Sequence, residues 1–562
     1  PLTALDAATG RTVLTYAKTE QAQEVIEADG VLYVSVDIPG QPAGDPGVDA
    51  ATARRRGITK VIWALQPRTL TAIQAGTGSN LWAVRTPMLP MTAAADANGV
   101  YFCDGERVVC LDRATGQARW RSEPVPRAEK LPSFYGATLL VDDGVVLFAG
   151  GSTAEFLPGS SADSKKGMMT ALDARTGRKL WEAHQPLSGF TSPEDSLVIN
   201  GVVWCGEVSR GRQTGEFIGR ELKTGKLVSR FDPDVQTYWF HHRCYRGKAT
   251  DKYLLMSRTG TEFVDPETGH WTANYWTRGA CLYGIMPANG LLYNPPNPCT
   301  CYHEAKLPGF TALAPAAPAG EDEFAGSDNP RLEEGPAFSS AARQPAPAGK
   351  GDWPTYRGDN ARSGRAACDV PAGLKRAWSA EVGGKLSAVV VAEGKLLVAR
   401  VEDHAVCALD ARDGKPLWTF TAGGRVDSPP TVYRGLAIFG CGDGYVYCLR
   451  ASDGALAWRF RAAPADRRLV AFDQVESVWP VHGSVLVRDG VVHCVAGRSM
   501  FLDGGLHMVQ LDAATGKLLL EKVMDRHVAE TGKDLDSYVV KLNMPVALPD
   551  VLSCDANHVY MR

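Results

Sequence analysis

One phrase recurs along this chain and limits what it can fold into. It reads ALDAATGRTVL at 4–14, AIQAGTGSNLW at 72–82, CLDRATGQARW at 110–120, ALDARTGRKLW at 171–181, ALDARDGKPLW at 408–418, CLRASDGALAW at 448–458 and QLDAATGKLLL at 510–520, with looser copies at 220–229 and 263–271. Between copies lies a second phrase, an apolar run broken by Asp-Gly, Asn-Gly or a similar turn. Examples are EADGVLYVSV (27–36), DANGVYFCDG (96–105), VDDGVVLFAG (141–150), VINGVVWCGE (198–207) and VRDGVVHCVA (487–496).

Each phrase has a physical reading. Asn-Gly and Asp-Gly between alternating apolar runs favour a type I′ hairpin, because both central residues need a positive φ. In D-x-x-T-G the Asp accepts hydrogen bonds from the N–H groups of its own turn, and the Gly takes the left-handed position. Five copies place a Trp four residues after that Gly (Trp82, Trp120, Trp181, Trp418 and Trp458), where a large ring can wedge between neighbouring sheets. Each unit therefore reads as four short antiparallel strands. A four-stranded unit repeated every few tens of residues predicts the blades of a β-propeller.

The two phrases closely resemble the PQQ-like β-propeller repeat, a superfamily that includes quinoprotein alcohol dehydrogenases and an outer-membrane assembly lipoprotein. The resemblance implies an all-β fold of tandem propellers, with about eight blades in a complete ring. The chain carries nine units and two half units. That exceeds the four to eight blades of a typical ring. The Ala-, Pro- and Gly-rich stretch 315–351 cannot bury a core and reads as a linker. The expected organisation is a first propeller at 1–314 lacking its beginning, the linker, and a second propeller at 352–562 lacking its end. A single irregular ring of about ten blades is the alternative.

Composition narrows the function. Lys and Arg number 60 against 63 Asp and Glu, a net charge of −3, so no basic footprint for nucleic acid exists. No run of 18 apolar residues offers a membrane span. The first residue is Pro1 and not Met, so the chain is expected to be processed or a fragment, with any signal peptide outside it, and the resemblance implies an extracytoplasmic place, periplasmic or secreted. Dehydrogenases of the superfamily stack their quinone on a disulfide between adjacent cysteines. The sequence has no Cys-Cys pair and no C-x-x-C-H for haem. No cofactor is firmly implied, and bound PQQ is not expected.

Two polar regions stand out. In the first, FHHRCYRGKATDKY (240–253), RGACLYG (278–284) and NPCTCYHEAK (297–306) bring Cys244, Cys281, Cys299, Cys301 and His303 into consecutive units. Thiolates and imidazoles suit a metal, but the spacing fits no standard zinc pattern. Disulfide staples are the favoured reading, with a metal centre or free thiols open. Nearby, His242, Tyr245 and Arg278 are candidate catalytic groups for an acidic polysaccharide, with Arg to neutralise a carboxylate and His or Tyr to move a proton. His241, Arg243, Arg246 and Tyr283 are binding candidates. Packing between blades is the competing role. The second region is AFDQVESVWPVHGSVLV (471–487) with AGRSMFLDGG (496–505). It supplies Gln474, Glu476, Trp479, His482, Arg498 and Asp503, polar groups in an otherwise apolar repeat, on loops where binding commonly resides. The expectation is a scaffold that binds a glycan or protein partner. An enzyme on acidic polysaccharide, a lyase or a hydrolase, is the alternative, and a PQQ-dependent dehydrogenase a more remote one.

Overall fold

A computed structural model describes the chain apart from residues 39–64, 128–136, 151–167, 186–195, 207–214, 235–244, 257–259, 275, 281–283, 297–305, 308, 316–329, 342–348, 350, 539–545, 550 and 562. The chain divides into two compact units. One comprises Pro1–Pro315 with Tyr538–Asn543, the other Ala316–Ser537 with Met544–Arg562.

Among its described residues the first unit contains five four-stranded antiparallel sheets, at 22–88, 94–121, 138–184, 197–231 and 248–274, and a three-stranded one at 286–313. A hairpin at 3–15 precedes them. In the second unit the sheets at 390–421, 431–461 and 486–524 follow the same order, and the short pair Ser553–Cys554 and Val559–Tyr560 comes last. These are the units and half units read from the two phrases. The protein is an all-β propeller-type fold of four-stranded antiparallel blades.

The turns form for the reasons the sequence gives. Asp143 and Gly144 have φ of 38° and 76°, and Asn200 and Gly201 have 50° and 74°, the double left-handed geometry of a type I′ turn. The D-x-x-T-G glycines Gly116, Gly177 and Gly516 have φ of 72°, 72° and 68°. In that turn Asp173 Oδ1 accepts from Thr176 N at 2.8 Å and Thr176 Oγ1 at 2.7 Å. The Thr176 hydroxyl holds the Asp173 carboxyl below its ordinary pKa, against the effect of burial.

The Asn98–Gly99 turn departs from expectation. Gly99 lies outside the left-handed region, and Asp96 Oδ1 accepts from the N–H groups of Asn98 and Gly99 at 2.8 and 2.9 Å. Glycine is needed there for space, since a Cβ would lie 2.5 Å from Cys110 Sγ.

The tryptophans join successive blades. Each lies on an outer strand beneath the glycine of the next blade's D-x-x-T-G turn. A Cβ on Gly116 would meet Trp82 at 2.7 Å, on Gly177 Trp120 at 2.5 Å, on Gly454 Trp418 at 2.7 Å and on Gly516 Trp458 at 2.6 Å. The indole N–H donates to a carbonyl of the same turn. Trp120 bonds Ala174 O at 3.0 Å and Trp181 bonds Leu222 O at 2.8 Å. Trp378, outside any copy of the phrase, does the same for the 390–421 blade, under Gly414 with a bond to Ala411 O of 3.1 Å.

One finding departs from the reading of 315–351 as a linker throughout. Leu332–Glu334 forms a fifth strand on the outer edge of the 431–461 blade, followed by a one-turn helix, Phe338–Ala341. Composition alone does not forbid this, because the neighbouring sheet edge supplies the hydrogen-bond partners.

Candidate functional site

Antiparallel order fixes two different ends for every blade. The hairpin between strands one and two and the D-x-x-T-G turn between strands three and four share one end. The connections from strand two to three, and from strand four to the next blade, share the other. The repeated turns thus occupy one end, and the irregular connections of the second unit, 422–430, 441–444, 462–485 and 497–505, occupy the opposite one. Of the first region's candidates, the described Tyr245, Arg246 and Arg278 fall on connections of this kind as well.

In the second unit these connections gather a charged cluster. Arg425 is 7% exposed and Glu476 2%. Arg425 Nε lies 3.0 Å from Asp427 Oδ1, and Arg425 Nη2 lies 3.4 Å from Glu476 Oε2. Asp427 Oδ2 meets His482 Nδ1 at 2.6 Å. The Arg425 guanidinium stacks on the Phe472 ring, 3.9 Å from its centroid. Burial pushes the Glu476 carboxyl above its ordinary pKa, partly offset by His482 and Arg425. Its two oxygens are sealed from solvent and accept no hydrogen bond from the described residues. Burial acts the same way on Asp427, but the His482 hydrogen bond and the charges of His482 and Arg425 outweigh it and hold that carboxyl low.

A glycine-rich ridge, GCGDG at 440–444, holds these pieces together. Gly442 N donates to Arg425 O at 2.7 Å, Ser477 N to Gly442 O at 2.8 Å and Val481 N to Cys441 O at 3.0 Å. A Cβ on Gly440 would lie 2.4 Å from Val481 Cγ1, so the ridge admits no side chain at that point. Arg498 pairs with Asp503 Oδ2 at 3.1 Å and donates to Val478 O at 3.2 Å. Trp479 is a core residue whose indole N–H bonds Asp503 O at 2.8 Å, so it packs rather than presenting a ring to a ligand.

Gln474 lies on a two-stranded hairpin, Arg468–Ala471 with Gln474–Ser477. Its side chain joins His404 Nε2 at 2.9 Å and Glu402 O at 3.0 Å, tying the hairpin to the 390–421 blade. The tip exposes Val470 (74%), Phe472 (66%) and Val475 (56%). The structure thus brings together Glu476 and His482 of the sequence candidates, with Arg498 and Asp503 paired beside Trp479. Sequence reasoning missed Arg425 and Asp427 in GGRVDSPP, about 50 residues upstream of their partners. The paired glycines of that stretch and of the ridge were the available signal.

The first region is only partly described. His241, His242, Arg243, Cys244, Cys281, Tyr283, Cys299, Cys301 and His303 lie outside the described residues. Tyr245 is fully buried. Its hydroxyl donates to Gly260 O at 3.1 Å, and burial raises its pKa far above the ordinary value. Arg278 is buried, and Arg246 bonds Thr138 Oγ1 at 3.1 Å and Ala137 O at 3.0 Å. Arg246 and Lys248 line a cavity of about 390 Å³ between the first strands of three blades. None of the nine described cysteines forms a disulfide with another described cysteine, and no metal-binding group of three or more His, Cys, Asp or Glu occurs among the described residues.

Two stretches, 66–230 and 363–540, match the model of the family described as outer membrane protein assembly factor BamB, and together they cover more than half of the chain. The chain belongs to this family. The BamB of Burkholderia pseudomallei (strain K96243) is 35% identical over 99 residues, 17% of this chain and 26% of that protein. The match thus spans about a quarter of that curated relative's length. Among solved structures, BamB from Moraxella catarrhalis aligns over 80% of this chain and 88% of its own, at 12% identity and a TM-score of 0.28. The quinohemoprotein alcohol dehydrogenase of Comamonas testosteroni aligns over 84% and 70%, at 13% identity and a TM-score of 0.30. The family model covers the Trp–Gly contacts between 82 and 225 and between 378 and 516, and it includes the charged cluster. No helix among the described residues is long and apolar enough to cross a membrane.

Proposed function

We propose that this protein is an extracytoplasmic scaffold that holds a protein partner against the irregular-loop end of its second unit. One observation carries the reading. The apolar tip Val470, Phe472 and Val475 stands exposed beside a cluster of charges that are already paired with each other. Pre-paired charges cost little to reorganise when a partner arrives, and an exposed apolar patch ringed by polar groups suits protein docking. Membership of a family named for outer-membrane protein assembly supports an extracytoplasmic place and a protein partner.

The test is affinity capture from the native envelope with wild-type protein and a Val470→Asp/Val475→Asp variant. The reading expects one partner held in stoichiometric amount by the wild type and lost from the variant, with thermal unfolding unchanged. Equal recovery from both would refute it.

A second reading, an enzyme on acidic polysaccharide, is supported by the His482–Asp427 pair. Asp427 fixes His482 through Nδ1, leaving Nε2 as the proton-accepting position, with Arg425 close by. It expects turnover of a polyuronate that disappears in His482→Ala.

A further inference from the structure

The 431–461 blade differs from its neighbours at its outer edge. Elsewhere the outer strand exposes the residue before its Trp: Leu81 is 47% exposed, Leu180 42% and Leu417 46%. Here that position is Ala457, fully buried, and Trp458 is fully buried too. The covering element is the chain's own segment 330–341. Its strand runs antiparallel to the edge, with Leu332 opposite Phe460, Glu333 opposite Arg459 and Glu334 opposite Trp458. Backbone bonds extend past this ladder, from Arg461 N to Arg331 O (2.7 Å), Gly335 N to Ala457 O (2.7 Å) and Ala337 N to Leu456 O (2.9 Å).

The fit is specific on both sides. A Cβ on Gly335 would fall 2.3 Å from Leu456 O, so only glycine admits this approach. Arg459 reaches Glu333 Oε2 at 2.6 Å, and Arg331 reaches Glu521 Oε2 on the next blade at 2.7 Å while capping Arg461 O at 2.9 Å. Leu332 and Phe338 pack on the core cluster around Trp458, which Ala337 joins. The result is a short groove with a backbone edge, two charge selectors and an apolar seat, the features by which sheet edges recognise extended peptides. Its occupant lies in a stretch whose composition cannot form a core of its own.

We propose that this edge is a strand-acceptor site, filled by residues 330–341 and able to exchange them for an extended peptide segment of a partner protein. That segment carries the same order: basic, apolar, two acids, glycine, then a small residue and an aromatic. The inference rests on the partner-binding reading above and gives it a second point of attachment. A segment tethered at both ends competes at an effective concentration of roughly millimolar, so the site is closed to weak ligands and open to a partner that matches the pattern.

The test uses the full chain and a synthetic peptide of sequence PRLEEGPAFSSA. In a variant whose residues 330–341 are replaced by Gly and Ser, the labelled peptide should bind, and the wild type should bind it at least tenfold more weakly. Adding Arg459→Glu to that variant should abolish binding, and a Glu333→Lys peptide should restore it. A folded replacement variant that ignores the peptide overturns the proposal. Equal binding by wild type and variant overturns it as well. So does a replacement variant without cooperative unfolding, because the segment would then be an inseparable part of the blade. No cellular partner enters this assay, so it can fail while the capture experiment succeeds, and the reverse.

Discussion

Replacing Gly177 by alanine tests the joint between blades. Gly177 has φ of 72°, and an added Cβ would lie 2.5 Å from Trp120 Cε3 and 2.8 Å from Cδ2. Two costs follow. Holding a residue with a Cβ in the left-handed region costs about 1–2 kcal/mol. Forcing a methyl group against a ring bonded through its N–H to the same turn adds about 1–3 kcal/mol of overpacking. The expected loss is about 2–5 kcal/mol in all, from these two terms. Gly144→Ala is the control, because it shares the positive φ of 76° but has nothing within 4 Å. It should lose only the backbone share, about 1–2 kcal/mol. Trp120→Ala alone should cost about 3–5 kcal/mol, and the double variant should lose less than the sum because the clash is gone. Urea unfolding followed by circular dichroism and tryptophan fluorescence measures all four proteins. If Gly177→Ala matches Gly144→Ala, or the cycle is additive to within about 0.5 kcal/mol, the wedge does not couple the blades as described.

Other outcomes follow from the same structure. Burial raises the Glu24 carboxyl to about 7 from 4.5, against the opposing donation by Ala93 N at 2.9 Å. Because the folded-state pKa is the higher one, its contribution is fully present below pH 4.5 and is lost as pH rises through about 7. Glu24→Gln should therefore gain up to about 3 kcal/mol over wild type at pH 8 and nothing at pH 4, read from urea midpoints. Thiol titration in denaturant without reductant should give nine groups if Cys244, Cys281, Cys299 and Cys301 pair as staples, since the nine described cysteines form no disulfide with one another and the chain has 13. Thirteen would remove the staples. Brief proteolysis should spare 331–340, whose backbone is bonded to the 431–461 blade. Two large fragments that each unfold cooperatively would support two separate rings, while a single irregular ring would yield none that is stable alone.

The blades were legible in the sequence because their turns are local devices. An Asp that caps its own turn and a Gly that takes positive φ act within four residues, so Asp173 and Gly177 show their roles in any short window. The wedge position of Trp82, Trp120, Trp181, Trp418 and Trp458 follows from the same register. What was not legible depends on residues far apart. Trp378 makes the same contact without a turn phrase beside it, because the glycine it needs belongs to the next blade. The strand Leu332–Glu334 is specified by the edge it meets and not by its own composition. Glu476 and His482 were found as polar intruders in an apolar repeat. Arg425 and Asp427, which pair with them, came into view only once the ridge at 440–444 had joined the three connections.

The most direct test of the account is which end of the second unit meets a partner. A photo-reactive amino acid placed at Phe472, on the irregular-loop end, and another at Asp413, on the repeated-turn end, can be activated in native envelopes. The account predicts a discrete adduct from position 472 and none from 413. An adduct from 413 alone would contradict it.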